Sequence, residues 1–188
     1  ETVEERKQRF REEKAERKLL WMRDILRRVH EQYYSPDISE EKRDGLSVPG
    51  ILSSMRKAVL GSSPKCNLVL SGVVPLHMQN QIAREGARQG PRPGIVRYAE
   101  VLGAKVLSDV TDKVTHVVAR QDGTSKVLKA RLVPGCAVVR ISWLMECYWS
   151  LTRRDLSLDN LIGPPPIQKP VKKEGDKNEE TGRKVMLL

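Results

Sequence analysis

Between Cys66 and Leu151 the chain switches repeatedly between short apolar runs and helical periodicity, and this alternation narrows the choice of folds more than any other feature. Apolar runs of three to five residues are too short to be helices and read as strands: 68–71, 105–107, 115–119 and 137–140. Between the first two lies a helical period over 95–102, with Ile95, Tyr98, Ala99 and Leu102 on one side and Gly103 as its stop. Between the last two, 124–132 reads as a helix with Val127, Leu128, Arg131 and Leu132 near one another, and ISWLMECYWSL after the last strand reads as a strongly apolar helix. The order β-α-β-β-α-β-α predicts an α/β domain: a four-stranded parallel sheet flanked by three helices. A parallel sheet delivers the carboxyl ends of its strands to one edge, where open α/β sheets expose binding groups, and the first strand ends there on Ser71-Gly72.

The flanks read differently. Residues 1–18 are almost wholly charged and alternate in sign, as a solvated helix does. From Leu19 an apolar stripe of Met22, Ile25, Leu26, Val29 and Tyr33 recurs at helical spacing and needs a surface to pack on, so 1–34 is a charged and then amphipathic helix. SPDISEEKRDGLSVPG breaks it, and a short helical pattern follows with Leu52, Met55 and Val59 on one face and Gly61 at its end; 35–65 is read as a linker with a short helix. Residues 66–155 hold the folded domain. Within it, 75–93 is a basic, Gly- and Pro-rich insertion, longer than such connections usually are. Beyond Asn160 the sequence is Pro-rich and then mixed in charge, and 156–188 is expected to be a disordered tail.

No apolar run approaches the roughly 20 residues that span a bilayer, and ETVEERKQRFREEK has no hydrophobic stretch of the signal-peptide kind, so neither a membrane nor a secretory role is expected. Cys66, Cys136 and Cys147 are unevenly spaced among apolar neighbours, which suits buried thiols in a reducing, intracellular setting. Residues 66–150 carry eleven Lys/Arg against six Asp/Glu, half of the net +10, which makes an anionic partner reasonable.

"LGAKV", "VTHVVA" and "VVRISWLMEC", together with Ser71-Gly72 at the end of the first strand, resemble a BRCT domain over 66–151. "LRRVHEQYY", "CNLVLSGVVP" and "VTHVVARQDGTSKVLKA" in this order also resemble the carboxy-terminal part of the eukaryotic phosphatases that act on the repeat domain (CTD) of RNA polymerase II. That resemblance implies a nuclear protein of the transcription apparatus. Its parent enzymes transfer phosphoryl groups with Mg2+ from an Asp-x-Asp-x-Thr motif whose first Asp is the nucleophile. No such motif exists in this chain; Asp155 and Asp159 in DLSLDN have the wrong spacing, so no catalytic residue and no cofactor are expected here. The chain reads as a fragment or as a relative without the enzyme part.

What the BRCT resemblance implies is recognition. Phosphopeptide-binding members use a hydroxyl and the following Gly amide at the end of the first strand, plus a Lys at the start of the second helix; these positions match Ser71, Gly72 and Lys126, with Thr124 as helix cap. The partner would be a phosphorylated peptide or protein, the polymerase CTD or an associated transcription factor. Against this stands a structural use, in which Ser71-Gly72 only lets the strand turn and Lys126 is one exposed lysine among many. A second class of partner is nucleic acid, bound through Arg84, Arg88, Arg92 and Arg97, and a third role is to brace an absent domain through the 22–33 helix. Trp143 matches the core Trp of the last helix, while Trp149 faces elsewhere and is either a contact of the 22–33 helix or simply a partly exposed aromatic. Cys147 and Arg153 fit the Cys-x5-Arg spacing of cysteine phosphatases, but the bulky residues between them cannot form a phosphate-cradling loop, and Cys147 is assigned to packing. His30, His77, His116 and the cysteines show no metal-ligand spacing.

Overall fold

The computed structural model describes residues 2–75 and 94–168. The expected insertion is outside these except for Pro75, as are 169–188 of the expected tail. Four strands, β1 (Asn67–Ser71), β2 (Lys105–Leu107), β3 (His116–Ala119) and β4 (Ala137–Arg140), form one sheet in the order β2-β1-β3-β4, with every pairing parallel. The helices are α1 (Val3–Tyr33), α2 (Glu40–Asp44), α3 (Val48–Gly61), α4 (Gly94–Val101), α5 (Ser125–Arg131) and α6 (Ile141–Ser150).

Side chains alternate across a strand, and the sheet is apolar on both faces because helices cover both. Leu68, Leu70, Val118 and Val139 join Val96, Ala99, Trp143 and Leu144 on the face covered by α3, α4 and α6. Val69, Val117 and Val138 join Val127 and Ala130 on the face covered by α5. β1 is central and buried on both sides, which accounts for its unbroken apolar run.

Helix α1 begins with a capping box: Thr2 Oγ1 accepts from the Glu5 amide and Glu5 returns the bond to the Thr2 N–H. Its apolar stripe is only partly used. Ile25, Val29 and Tyr33 pack on the core, whereas Met22 and Leu26 remain 60% and 63% exposed, because α1 meets the domain along a narrow seam against α3 and α6. Arg28 secures that seam, its guanidinium donating to the carbonyls of Ser150 and Leu151 at the end of α6, 2.8 and 3.0 Å away. The expected linker is also packed: Ser47 caps α3, and Ile51, Met55, Val59 and Leu60 enter the main core.

Two expectations are corrected. The 156–188 segment does not leave the domain at Leu156. Asn160, Leu161 and Ile162 are buried, Leu161 forms an antiparallel bridge with Val139, and Ile162 N–H donates to Val138 O at 2.9 Å. The free edge of β4 would otherwise expose unpaired amides, and Leu161 and Ile162, pointing to opposite faces, each reach a different core cluster. The third strand starts at His116 rather than Thr115, because Thr115 is occupied locally, its hydroxyl accepting from Asn67 N–H and donating to Asn67 O.

Candidate functional site

The carboxyl ends of β1 and β3 meet the start of α5, and Ser71, Gly72, Thr124 and Lys126 come together there. Ser71 is 3% exposed and its side chain points to the α5 face of the sheet, as period-2 alternation from Val69 requires. Its Oγ lies 2.7 Å from Thr124 Oγ1. Thr124 is the N-cap of α5, accepting a bond from the Val127 amide at 3.4 Å. When the shared proton belongs to Thr124, the Ser71 hydroxyl keeps its own hydrogen for a second acceptor.

Gly72 follows at φ +65°, a left-handed conformation that side chains resist. An added Cβ would have room, with only Arg120 Cβ at 3.9 Å, so the backbone angle and not crowding calls for glycine. Lys126 Nζ donates to the Leu70 carbonyl at 3.4 Å, on the edge of a small cavity of about 30 Å3 shared with Val74, Val96 and Val106. Burial lowers the Lys126 pKa below the usual lysine value, partly offset by Asp109. The four residues thus form a shelf on the strand ends rather than a deep cleft.

Other residues singled out in the sequence fall elsewhere. Trp143 is fully buried, its ring stacked on His116 with centroids 4.7 Å apart, and its Nε1–H donates to Arg154 O at 2.9 Å. Trp149 is half exposed on the outer side of α6, where Lys18 of α1 lies 5.9 Å over its ring. Cys147 lies inside α6, and burial pushes its thiol up to about 11, the opposite of what a nucleophile needs. Of the arginines assigned to nucleic acid, Arg84, Arg88 and Arg92 lie outside the described residues and Arg97 is exposed on α4. Among the described residues no three His, Cys, Asp or Glu side chains gather as metal ligands would, and no helix is long and apolar enough to cross a membrane.

Sequence reasoning missed the buried polar knot of Cys66, Thr115 and His116 at the opposite edge. Cys66 Sγ lies 3.3 Å from His116 Nδ1 and 3.4 Å from Thr115 Oγ1. Burial raises the Cys66 pKa and lowers that of His116 to about 4, so both stay neutral. The residues are fifty apart in sequence and adjacent only through parallel pairing of β1 and β3.

Residues 82–148 match the BRCA1 C Terminus (BRCT) domain family. The RNA polymerase II C-terminal domain phosphatase of Caenorhabditis elegans is 30% identical over 150 residues, which are 78% of this chain and 21% of that protein. The protein of the same name from Homo sapiens is 28% identical over 138 residues, 69% of this chain and 13% of its own length. Among solved structures, the fission yeast RNA polymerase II CTD phosphatase Fcp1-R271A bound to beryllium fluoride superposes with a TM-score of 0.56 at 28% identity, covering 77% of this chain and 37% of that one. The chain thus spans about a fifth of the nematode relative's length. Family match and parallel β2-β1-β3-β4 sheet agree: the chain carries a BRCT domain and, over most of its length, resembles a part of the RNA polymerase II CTD phosphatases.

Proposed function

We propose that this chain is a phosphopeptide-docking module that holds the phosphorylated RNA polymerase II CTD, or a transcription factor associated with it, in the nucleus. The observation that carries the reading is the convergence of the Ser71 hydroxyl, the Gly72 backbone and the Lys126 ammonium at the end of β1. A phosphate dianion accepts hydrogen bonds from a hydroxyl and a backbone amide, and a cation balances its charge. Thr124 positions the pair, ordering the Ser71 hydroxyl on one side and the first turn of α5 on the other. The similarity to CTD phosphatases favours the polymerase tail as the ligand. Docking of this kind keeps a substrate near a catalytic domain at high effective concentration.

The test is binding of CTD repeat peptides, phosphorylated and not, to the full chain and to Lys126→Met. The phosphorylated peptide should bind, and the variant should lose that binding while keeping its fold. Equal affinity for both peptides would overturn the proposal.

A further inference from the structure

The edge of the sheet opposite Ser71 holds a second and larger opening. A groove of about 520 Å3 is lined by Pro64, Thr115, His116 and Ala137 together with 153–156. That volume is in the range of ligand sites and would take a few residues of an extended peptide. Two arginines line it. The Arg154 backbone is pinned to the core at both ends, its N–H donating to Cys147 Sγ at 3.3 Å and its carbonyl accepting from Trp143 Nε1 at 2.9 Å. Arg153 is steered inward by Nη1, which donates to Pro64 O at 3.0 Å, and the Arg154 guanidinium lies 5.2 Å over the Trp21 ring.

Arg153 and Arg154 are half-buried residues, and among the described residues neither is in an ion pair. Asp155 is the acid beside them, and it is exposed. His116, only 6% exposed, lines the same groove; its hydrogen bonds run through Nδ1, and its Nε2 has no partner among the described residues. Two fork-shaped cations with spare donors suit oxyanions. Arg154 lies over the Trp21 ring and His116 is stacked on Trp143, so these ring faces are already taken by partners within the chain. Leu156, 38% exposed, adds an aliphatic contact to the lining.

We propose that this groove binds the acidic side chains of an extended peptide, carboxylate or phosphate, with Arg153 and Arg154 as paired clamps. The site is separate from the Ser71–Lys126 shelf and does not depend on it. The probes are three eight-residue peptides of one backbone sequence carrying Glu, phosphoserine or Gln at the same positions, titrated into the 15N-labelled full chain. The Glu or phosphoserine peptide should move the amide signals of Thr115, His116, Arg154 and Leu156, and the Gln peptide should not. Response to phosphoserine alone assigns the ligand as phosphate, and response to both assigns it as an oxyanion of either kind. Arg153→Gln with Arg154→Gln should weaken binding about tenfold or more, the loss expected of a charge-assisted pair. Asp155→Asn should tighten it, a direction that misfolding cannot produce. Shifts confined to Gly72 and Lys126, no shift with either acidic peptide, or unaltered affinity in the double arginine variant would overturn the proposal.

Discussion

The His116 ring lies nearly parallel to the Trp143 indole, 12° between planes, inside the core where β3 meets α6. Burial lowers its pKa from an ordinary 6.5 to about 4, with Arg153 adding to the effect. The unfolded chain therefore takes up a proton between pH 6.5 and about 4 that the folded domain refuses. Stability should fall as pH drops through that window, by up to about 3 kcal/mol from this one group. Urea unfolding at a series of pH values measures it; His116→Gln, though less stable at pH 7, should show a flatter dependence, and an unchanged slope would refute the assignment.

Arg28 ties α1 to the domain through two carbonyls at the end of α6, which no helix residue can satisfy. Arg28→Ala should cost about 1–2 kcal/mol and lower the melting temperature by a few degrees. Hydrogen exchange over 20–33 should quicken while the sheet amides stay protected. Lysine in its place, a point donor without the fork, should restore only part of the loss.

Gly103 and Gly123 both have positive φ, +87° and +77°, but their surroundings differ. A Cβ on Gly103 would collide with the Lys57 carbonyl and the Gly61 backbone, where α3 meets the turn before β2, whereas a Cβ on Gly123 meets nothing within 4 Å. Gly103→Ala should therefore cost well over about 2 kcal/mol and Gly123→Ala about 1 kcal/mol. Thermal denaturation of the two variants side by side separates backbone strain from collision.

The Ser71–Thr124 hydrogen bond separates stability from recognition. Thr124→Ala removes the α5 cap as well as the bond and should cost about 1 kcal/mol. Ser71→Ala leaves the cap in place and should cost less, yet lower phosphopeptide affinity at least as much. Calorimetric unfolding and peptide titration of both variants check the ordering, and an unaltered affinity in Ser71→Ala would count against the shelf.

Much of this architecture is legible in one dimension because its signals are local. Strand-length apolar runs, the stops at Gly61 and Gly103 and the Thr124 cap are each read from neighbouring residues, and their alternation leads to the parallel sheet. Ser71 and Gly72 could be picked out for the same reason, since a strand that ends on a hydroxyl and a glycine is visible in the string itself. Partnership across the fold was not. Whether Met22 and Leu26 are covered, that Leu161 and Ile162 return to close the edge of β4, and that Cys66 finds His116 depend on pairings between distant segments, which periodicity does not encode. The placing of Ser71 against Thr124, and of Lys126 over the end of β1, is likewise decided by tertiary structure. Adjacent parallel strands align the ends of segments more than forty residues apart, and only that alignment turns separate polar side chains into one surface.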